Sequence, residues 1–453
     1  MKLRRFIIAA LALAVMSCSR GGIIKTPVPA RPAGQEDMLQ FAADPIANVG
    51  IGVVGLGMRG SDAVERLTYV PGCHIAAVCD LLPERADASI KYLNDKGLSA
   101  NSYSGEEESW KELCEDPSVD LVYVCTDWLH HVPVALYAME HGKHVAVEVP
   151  SAETLQACWD LVETSERTRR HCIVLENCCY DFFELTALEM ARQGVFGEIV
   201  HAEGAYNHNL DPFWWEYWNN WRLEFNKGHR GDLYPTHGFG PVCQVLGIHR
   251  GDRLVSLVSM DTDAFNGPKL AEKAGMENPS EFAQGDVTVT LLRTAKGKSI
   301  LLEHNVMNPR PYSRMYQLVG TEGYAGKYPV EQVCLRDSER PGREVVYMNE
   351  KLEELMAKYP SPILTPELEA LAKEVGGHGG MDYIMDYRTI YCLNNGLPMD
   401  MDVYDLAEWC CVTELSRISL ENGSMPVEVP DFTRGRWDKL QGFSYSFADQ
   451  VSR

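Results

Sequence analysis

The sequence predicts an α/β protein with a doubly wound parallel sheet in its first part and an α+β second part built on a large, mainly antiparallel sheet. Between residue 49 and about residue 176, short apolar strand patterns alternate with helical patterns, which is typical of parallel sheets. The first strand runs into a turn with glycines at Gly55, Gly57 and Gly60, which opens a helix. After residue 177 the strands are longer and alternate polar with apolar residues, which favours an antiparallel sheet.

Composition narrows the classes of function. The 453 residues carry a net charge of −22 and contain no basic run, which argues against a nucleic-acid partner. The length suits two domains, each with a core of its own. Most of the 14 cysteines lie inside apolar strand or helix patterns, so we expect them to be free and buried. Neither cysteines nor histidines have the compact spacing of metal ligands, and we predict no metal site.

The N-terminus has the features of an export signal. Three basic residues among the first five precede an apolar run over residues 6–16, and Cys18 follows in a pattern that resembles a bacterial lipobox. We predict a signal peptide over residues 1–18 and an exported protein, lipid-anchored at Cys18 in the bacterial cell envelope on its periplasmic or surface face. Arg4-Arg5 also fits a twin-arginine signal, so both export routes stay open. Residues 19–45 are rich in glycine and proline and are predicted to be a linker.

Residues 46–176 are predicted to form the parallel, nucleotide-binding domain. Its strand patterns cover residues 49–54, 74–79, 121–125, 144–148 and 172–175. Its helical patterns start at residues 59 and 83, lie near 131–141 and run through 155–167. Because the carboxyl ends of parallel strands meet at one edge of the sheet, we expect a crevice there. Its lining is predicted from Asp80 and residues 126–131, 148–150 and 176–180.

The turn after the first strand predicts dinucleotide binding. Its three glycines let the backbone approach a pyrophosphate, whose charge then lies at the N-terminus of the following helix. Asp80 ends the next strand, 20 residues after Gly60, where a carboxylate accepts hydrogen bonds from ribose hydroxyls and repels the extra phosphate of NADP. Strand, turn, helix and a correctly spaced acid are more specific together than the glycines alone. The sequence therefore predicts NAD as the cofactor, with a plain βαβ unit as the alternative.

Residues 177–453 are predicted to form the second domain, which binds the substrate. A helix is expected near residues 182–193, and residues 295–297 form a hairpin turn between two strands. Late helices over residues 381–393 and 403–420 are expected to pack on the sheet of this domain. The strand patterns cover residues 198–206, 253–260, 286–293, 298–306 and 315–319.

Five motifs occur in order across the two predicted domains. They are Gly57-Met58-Arg59-Gly60, Trp128-Leu129-His130-His131, Glu148-Val149-Pro150, Glu176-Asn177-Cys178-Cys179-Tyr180 and Gly231-Asp232-Leu233-Tyr234-Pro235-Thr236-His237-Gly238. A first resemblance, to the glucose–fructose oxidoreductase and inositol dehydrogenase family, is carried by Gly55-Leu56-Gly57-Met58-Arg59-Gly60, Glu148-Val149-Pro150 and Gly320-Thr321-Glu322-Gly323. Dehydrogenases of that family carry a lysine where this chain has Val149. Valine cannot take up a proton, so an ordinary dehydrogenase is disfavoured. The whole set more closely resembles glycoside hydrolase family 109, the NAD-dependent N-acetylgalactosaminidases.

This resemblance implies two sets of contacts and a reaction. The implied NAD contacts are Met58, Arg59, Asp80, Trp128, Leu129, His130, His131, Glu148, Val149 and Asn177. The implied sugar contacts are Tyr206, Arg222, Tyr234, Pro235, Thr236, His237 and Tyr316. In the implied reaction, hydride leaves C3 of the sugar, C2 loses a proton and the group on C1 is eliminated. Water then adds and the hydride returns, so that NAD is recycled.

Four side chains are candidates for the proton transfers. His237 is the first choice as base for the C3 hydroxyl, because imidazole titrates near neutral pH. Tyr316 is the base for C2 by resemblance, although a phenol needs help from a cation or metal at neutral pH. Glu148 could activate the water or protonate the leaving oxygen, and Tyr180 could orient the sugar or share the proton transfer. Packing in the core or a purely structural hydrogen bond is the alternative for each.

Residues 211–222 concentrate aromatic side chains, including four of the nine tryptophans. Flat aromatic faces suit the C–H faces of sugars, and Arg222 can donate to hydroxyl or acetamido oxygens. A wedge in the core or an interface is the alternative for most of these rings.

Taken together, these features predict an exported glycosidase that hydrolyses terminal α-linked N-acetylgalactosamine, or a related N-acetylhexosaminide, on a small molecule or a glycan. One alternative is an NAD-dependent sugar oxidoreductase with net cofactor turnover, which Val149 and the export signal disfavour. Another is a carbohydrate-binding lipoprotein without activity, which the intact glycine turn, Asp80 and His237 disfavour. The only membrane contact expected is the lipid at Cys18, and the sequence is compatible with a homo-oligomer.

Overall fold

The structure is a computed structural model that describes residues 22–450. The predicted signal peptide and the predicted lipid-anchor site at Cys18 lie outside the described residues. Within residues 22–450, none of the helices combines the length and the hydropathy needed to cross a bilayer. All thirteen cysteines of this part of the chain are unpaired and most are buried, which confirms that prediction.

A six-stranded parallel sheet forms the first half of the molecule. Its strands are β1 (Val49–Val54), β2 (Cys73–Asp80), β3 (Asn101–Ser104), β4 (Leu121–Val124), β5 (His144–Val147) and β6 (Cys172–Val174). The helices between them are α1 (Met58–Leu67), α2 (Pro83–Asp95), α3 (Ser109–Glu115), α4 (Trp128–Glu140) and α5 (Leu155–Thr168). The strand order is β3-β2-β1-β4-β5-β6, and every neighbouring pair is parallel. This confirms the doubly wound sheet, whose order reverses beside β1, where such sheets bind ligands.

A nine-stranded sheet forms the second half. Its strands are β7 (Ile199–Asn207), β8 (Leu254–Asp261), β9 (Thr288–Thr294), β10 (Ser299–Asn305), β11 (Gln317–Gly320), β12 (Gly323–Gly326), β13 (Gln332–Arg336), β14 (Glu344–Tyr347) and β15 (Val427–Glu428). Their order is β14-β13-β12-β11-β7-β10-β9-β8-β15. Neighbours are antiparallel except for the parallel pair β7 and β10, which confirms a mainly antiparallel sheet.

Eight helices accompany this sheet in the described chain. They are α6 (Phe182–Arg192), α7 (Trp221–Gly228), α8 (Thr236–Leu246), α9 (Gly267–Lys273), α10 (Glu350–Met356), α11 (Pro366–Val375), α12 (Met381–Asn395) and α13 (Val403–Glu421). Of the two late helices, α13 packs on the large sheet as predicted, whereas α12 does not. Helix α13 contacts β8 of the large sheet but also α5 and β6 of the parallel half, whereas α12 packs against α1 and β1. Buried Arg66 of α1 donates to Asp386 of α12 at 2.6 Å, which ties α12 to the parallel half.

Residues 22–45 were predicted to be a linker, and that prediction is wrong for this stretch. Ile24 forms a β-bridge with Val427 of β15, and Met38 and Leu39 are buried. Arg31 donates to the buried carboxylate of Glu166 at 2.9 Å and 3.1 Å. Apolar side chains interspersed among the prolines are enough to bind this segment to the folded body, although its glycine and proline content is typical of a linker.

Candidate active site

A cavity of about 1030 Å³ lies at the carboxyl ends of the parallel strands. One side is lined by the glycine turn, Asp80 and Glu148, and the other by side chains that belong to the second half, among them Tyr206 and His237. The two halves of the molecule therefore build one site together.

The glycine turn has the shape that a pyrophosphate requires. Gly55 has a positive φ of 88°, and a Cβ at this position would lie 2.7 Å from the Cys125 backbone. A Cβ on Gly60 would overlap the carbonyl oxygen of Gly55. A Cβ on Gly57 would meet only the Arg85 guanidinium, at 3.6 Å, because Gly57 borders the open cavity. Since α1 begins at the next residue, an anion in front of Gly57 would lie at a helix N-terminus.

Asp80 is held in the position expected of a ribose-binding acid. Its Oδ2 accepts a hydrogen bond from the Leu56 amide at 2.6 Å, and its Oδ1 accepts one from the Leu82 amide at 2.8 Å. The side chain is nearly buried but lines the cavity. Each carboxylate oxygen keeps acceptor capacity, so the residues present fit a dinucleotide with a free ribose hydroxyl.

Arg59 connects the glycine turn to two acids. Its guanidinium donates to Glu148 Oε1 at 2.8 Å and to Asp382 Oδ2 at 2.9 Å. Burial by itself would raise the pKa of Asp382, but Arg59 and His378 hold that pKa well below its usual value. Asn177 also donates to Asp382. Asp382, which comes from α12, was not among the predicted site residues, because nothing in its local sequence places it near the parallel strands.

His237 has a buried carboxylate partner. Its Nδ1 lies 2.8 Å and 3.0 Å from the two carboxylate oxygens of Glu176, which follows β6 and is fully buried. Burial by itself would raise the pKa of Glu176, but His237 and the hydrogen bonds to the carboxylate outweigh it and the net shift is downward. A carboxylate at Nδ1 selects the tautomer with the proton on Nδ1, which leaves Nε2 as a proton acceptor.

Close backbone contact brings His237 to the cavity. A Cβ on Gly238 of α8 would overlap the backbone of Ala205 in β7, and a Cβ on Gly204 would overlap Gly238 in turn. Helix α8 therefore starts directly on the strand that carries Tyr206. The ring of His237 lies edge-on to Tyr206 at 5.4 Å.

Arg222 is a buried cation with an unused donor. Its charge lies 5.0 Å from the ring of Trp128 and 5.1 Å from that of Tyr234, and its Nη1 donates to the Tyr217 hydroxyl at 2.5 Å. Within the described chain it has no carboxylate within 4.0 Å, and its buried Nε has no partner. An unpartnered buried donor beside a cavity suits an acceptor oxygen on a ligand.

The two tyrosines that were predicted to be catalytic lie outside the cavity. Neither Tyr180 nor Tyr316 lines the cavity. Tyr180 is buried and donates to Asp400 at 3.1 Å. Tyr316 precedes β11 in the left-handed region with a φ of 45°, not within a strand as predicted, and its buried hydroxyl has no partner. Burial raises the pKa of both phenols far above the usual value, so neither suits the role of a base.

Two family models match the chain. The C-terminal domain of glycosyl hydrolase 109 matches residues 180–439, and the NAD-binding Rossmann fold of an oxidoreductase family matches residues 49–176. A glycosyl hydrolase family 109 protein of Bacteroides thetaiotaomicron is 59% identical over 437 residues, which cover 94% of this chain and 93% of that protein. A family 109 protein of Porphyromonas gingivalis is 58% identical over 437 residues, which cover 94% of this chain and 93% of that protein.

The chain belongs to glycosyl hydrolase family 109. Membership makes it a glycoside hydrolase, and the Rossmann fold of its first half makes NAD its cofactor. Solved structures show the same fold at low identity. An NAD-binding oxidoreductase from Klebsiella pneumoniae has a TM-score of 0.65 at 18% identity, covering 85% of this chain and all of its own. A levoglucosan dehydrogenase in complex with NADH and levoglucosan has a TM-score of 0.64 at 18% identity. The match covers 85% of this chain and 100% of the dehydrogenase chain.

The structure of this family 109 chain brings most of the predicted site residues together. The predicted contacts that line the cavity are Met58, Arg59, Asp80, Trp128, His130, His131, Glu148, Val149, Asn177, Tyr206, Arg222, Tyr234 and His237. Leu129, Pro235 and Thr236 do not line it, and Leu129 points to solvent with 61% of its surface exposed. All three are next to lining residues in the chain, but their own side chains do not face the cavity.

His378 is among the lining residues of the family 109 chain that were not predicted, although its sequence context is distinctive. His378 stands in the run Gly376-Gly377-His378-Gly379-Gly380, in which all five residues have positive φ. Its side chain is 54% exposed, and its Nδ1 lies 2.9 Å from Asp382 Oδ2. Four glycines around one histidine are a signal that could have identified this loop.

Proposed function

We propose that this enzyme hydrolyses terminal α-linked N-acetylgalactosamine by oxidation of the sugar at C3, elimination of the group on C1, addition of water and re-reduction. The observation that carries the proposal is His237, oriented by Glu176, in the same cavity as the glycine turn and Glu148. When bound, NAD supplies the reversible two-electron oxidation of a sugar hydroxyl. The side chains of the cavity then have to bind the sugar and move protons.

His237 takes the proton of the sugar hydroxyl. Its Nε2 is the acceptor, because Nδ1 is committed to Glu176. The Glu176 carboxylate stabilises the imidazolium that forms, as a buried acid beside a catalytic histidine does in other hydrolases. The proton can return from Nε2 when the hydroxyl is regenerated.

Glu148 takes the proton from C2 in place of Tyr316. The Arg59 guanidinium at 2.8 Å pairs with the carboxylate form, which accepts protons. His378 is our candidate proton donor for the leaving oxygen. Asp382 accepts from its Nδ1 and stabilises the imidazolium form, whose Nε2 can then donate a proton to the leaving oxygen. The surrounding glycines let the loop adjust to the aglycone.

Arg222 supports an N-acetylated sugar as the substrate. Its free Nε can donate to an acetamido oxygen, and its aromatic neighbours suit the apolar face of a pyranose ring. Val149, which lines the cavity without a titratable group, supports hydrolysis over an oxidoreductase with net turnover.

The test uses an aryl α-N-acetylgalactosaminide in deuterated buffer with no NAD added, because the protein is expected to retain its cofactor. Aryl release with deuterium at C2 is the expected result. His237→Ala should lower the rate by about 10²-fold or more. His201→Ala is the matched control, because His201 lies on β7 and bonds to Ser299 away from the cavity.

Other outcomes contradict parts of this proposal. Accumulation of one NADH per enzyme turnover would show an oxidoreductase, and sugar binding without reaction would show a binding protein. Activity of His237→Ala near that of the parent would remove His237 from the mechanism.

We also propose that the mature protein is exported and anchored to the membrane through a lipid on Cys18. The support is the charged and apolar N-terminal segment with its lipobox-like end. Retention of NAD is compatible with this proposed location, because an enzyme that recycles its cofactor needs no external supply of NAD.

A further inference from the structure

An aromatic rim continues the cavity outward from the buried sugar-binding side chains. We use the term for Phe213, His208 and Tyr312, which all line the cavity. The ring of His208 lies between the other two, 5.5 Å from Phe213 and 5.1 Å from Tyr312. Phe213 is 36% exposed and Tyr312 is 39% exposed, whereas Tyr206 deeper in the cavity is 5% exposed.

The rim is held in place before any ligand binds. The Phe213 amide donates to the Leu210 carbonyl at 2.8 Å, and the next residue, Trp214, is fully buried. The His208 Nδ1 lies 3.0 Å from the Tyr206 hydroxyl. Arg314 donates to the Tyr312 hydroxyl at 3.3 Å. Fixed rings bind a flat partner with little further loss of conformational freedom.

The rim presents no charge to its ligand. Burial and the nearby Arg222 lower the pKa of His208 to about 4, so its imidazole is neutral at pH 7. The other two rings are a phenyl group and a phenol. An uncharged aromatic surface suits the C–H face of a neutral sugar better than an anionic group.

We propose that the aromatic rim is the aglycone site, and that it binds the neutral hexose to which the terminal N-acetylgalactosamine is linked. This inference rests on the proposed function, because it names the group that follows the sugar being released. The rim lines the same cavity as His237 and Arg222 but is more exposed than they are, so it lies on the solvent side of the buried sugar-binding side chains. Phe213 is the member of the rim with no hydrogen-bonding role, and it contributes by stacking alone.

Trp215 provides an internal control. It is 39% exposed and lies two residues from Phe213, but it does not line the cavity. Its ring is instead covered by the ammonium group of Lys273 at 4.6 Å. Loss of this exposed ring should therefore leave glycan binding unchanged.

The test compares two substrates with the holoenzyme. One is methyl α-N-acetylgalactosaminide, which has no second sugar, and the other is N-acetylgalactosamine α-linked to methyl galactoside. Phe213→Ala should lower kcat/KM for the disaccharide about fivefold to tenfold and change that for the methyl glycoside less than about twofold. Phe213→Trp should keep the wild-type ratio, and Trp215→Ala should change neither value.

Saturation-transfer NMR on the same proteins supplies a readout that does not need turnover. Saturation of the galactose-ring protons should be strong with wild type and Trp215→Ala, and weak with Phe213→Ala. Equal loss on both substrates, or no loss of galactose saturation, would overturn the proposal. If wild type cleaves neither substrate, the proposed function fails, while a galactose signal that depends on Phe213 would still support the rim as a sugar site.

Discussion

His237 owes its proposed chemistry to a partner 61 positions earlier in the chain. Imidazole has two nitrogens, and the carboxylate of Glu176 occupies one, which makes the other the acceptor. The same logic applies to His378 and Asp382, which are four residues apart on the glycine loop and α12. At the scale of residues, the two histidines proposed to move protons are thus each oriented by an acid.

Asp232, in the segment that leads to His237, gives a prediction about pH. It is buried, accepts a hydrogen bond from the Tyr234 amide at 3.2 Å, and burial raises its pKa from 3.8 to about 7. The folded protein therefore keeps a proton that the unfolded chain releases, so the free energy of unfolding falls as the pH rises from about 4 to about 7. Asp232→Asn should remove this fall in the free energy of unfolding, because the amide side chain has no proton to release.

We expect Asp232→Asn to match wild type near pH 4 and to be more stable near pH 8, by up to about 4 kcal/mol. Urea unfolding of both proteins at the two pH values measures the difference. A difference that does not change with pH would contradict the prediction. Asp263→Asn, at an exposed position, is the control and should show no such trend.

At the scale of elements, the junction of β1 and α1 contains two glycines that are needed for different reasons. Gly60 provides contact within the protein, because a Cβ there overlaps the Gly55 carbonyl oxygen. Gly57 provides space for a ligand, because a Cβ there meets only Arg85 at 3.6 Å and its φ of −71° is open to any residue. One turn thus combines a packing requirement with a binding requirement.

Alanine at the two positions should therefore have different effects. Gly60→Ala should lower the melting temperature, because the backbone has to move to relieve the overlap. Gly57→Ala should melt near the wild-type temperature of the NAD-free protein but bind NAD about tenfold or more weakly, because its methyl group occupies the approach to the pyrophosphate. Thermal melts of the NAD-free proteins and NAD titrations measure both effects. Equal NAD affinity of Gly57→Ala and wild type would contradict the assignment of the pyrophosphate site.

At the scale of the whole molecule, the C-terminal helices join the two halves. Asp382 and Asp386 of α12 pair with Arg59 and Arg66 of α1, and α13 packs between α5 and β8. The cavity between the halves is therefore bordered by elements that are distant in the chain. This packing fixes the position of the cofactor-binding side of the cavity relative to the sugar-binding side.

The N-terminal segment sets how the molecule would sit on a membrane. Ile24 is already paired with Val427, and the proposed anchor at Cys18 is six residues before it. Six residues span at most about 20 Å, so an anchored protein would keep its β15 edge close to the lipid surface.

The proposed anchor is tested with the full-length chain expressed in a bacterium that processes lipoproteins. Cys18→Ser should move the protein from the membrane fraction to the soluble fraction, with no change in the activity per molecule. Cys334→Ser, at a half-buried cysteine in β13, is the control and should stay with the membrane. An unchanged distribution of Cys18→Ser would rule out lipidation at that residue.

The elements that could be predicted are those that local pattern specifies. The bounds of β1 match the prediction, and Asp80 lies at the end of β2 as expected. Strand β3 was missed because its residues Asn101–Ser104 are polar and lie at the sheet edge, without the apolar run that marks the inner strands. The packed segment at residues 22–45 was predicted to be a linker because its glycine and proline content hides the few apolar residues that pack.

The amino-acid sequence alone was enough to predict the two sheets, the glycine turn, the NAD cofactor and the family. These features depend on strand periodicity and motif spacing, which can be recognised within short stretches of the chain. The partners of His237 and Arg59, the position of α12 and the absence of Tyr316 from the cavity were settled only by the folded chain. These depend on which surfaces meet, and Glu176 and Asp382 reach their partners across 61 and 323 positions of sequence. Packing of side chains and close backbone contacts, such as that of Gly204 with Gly238, decide those distances, and no local pattern encodes them.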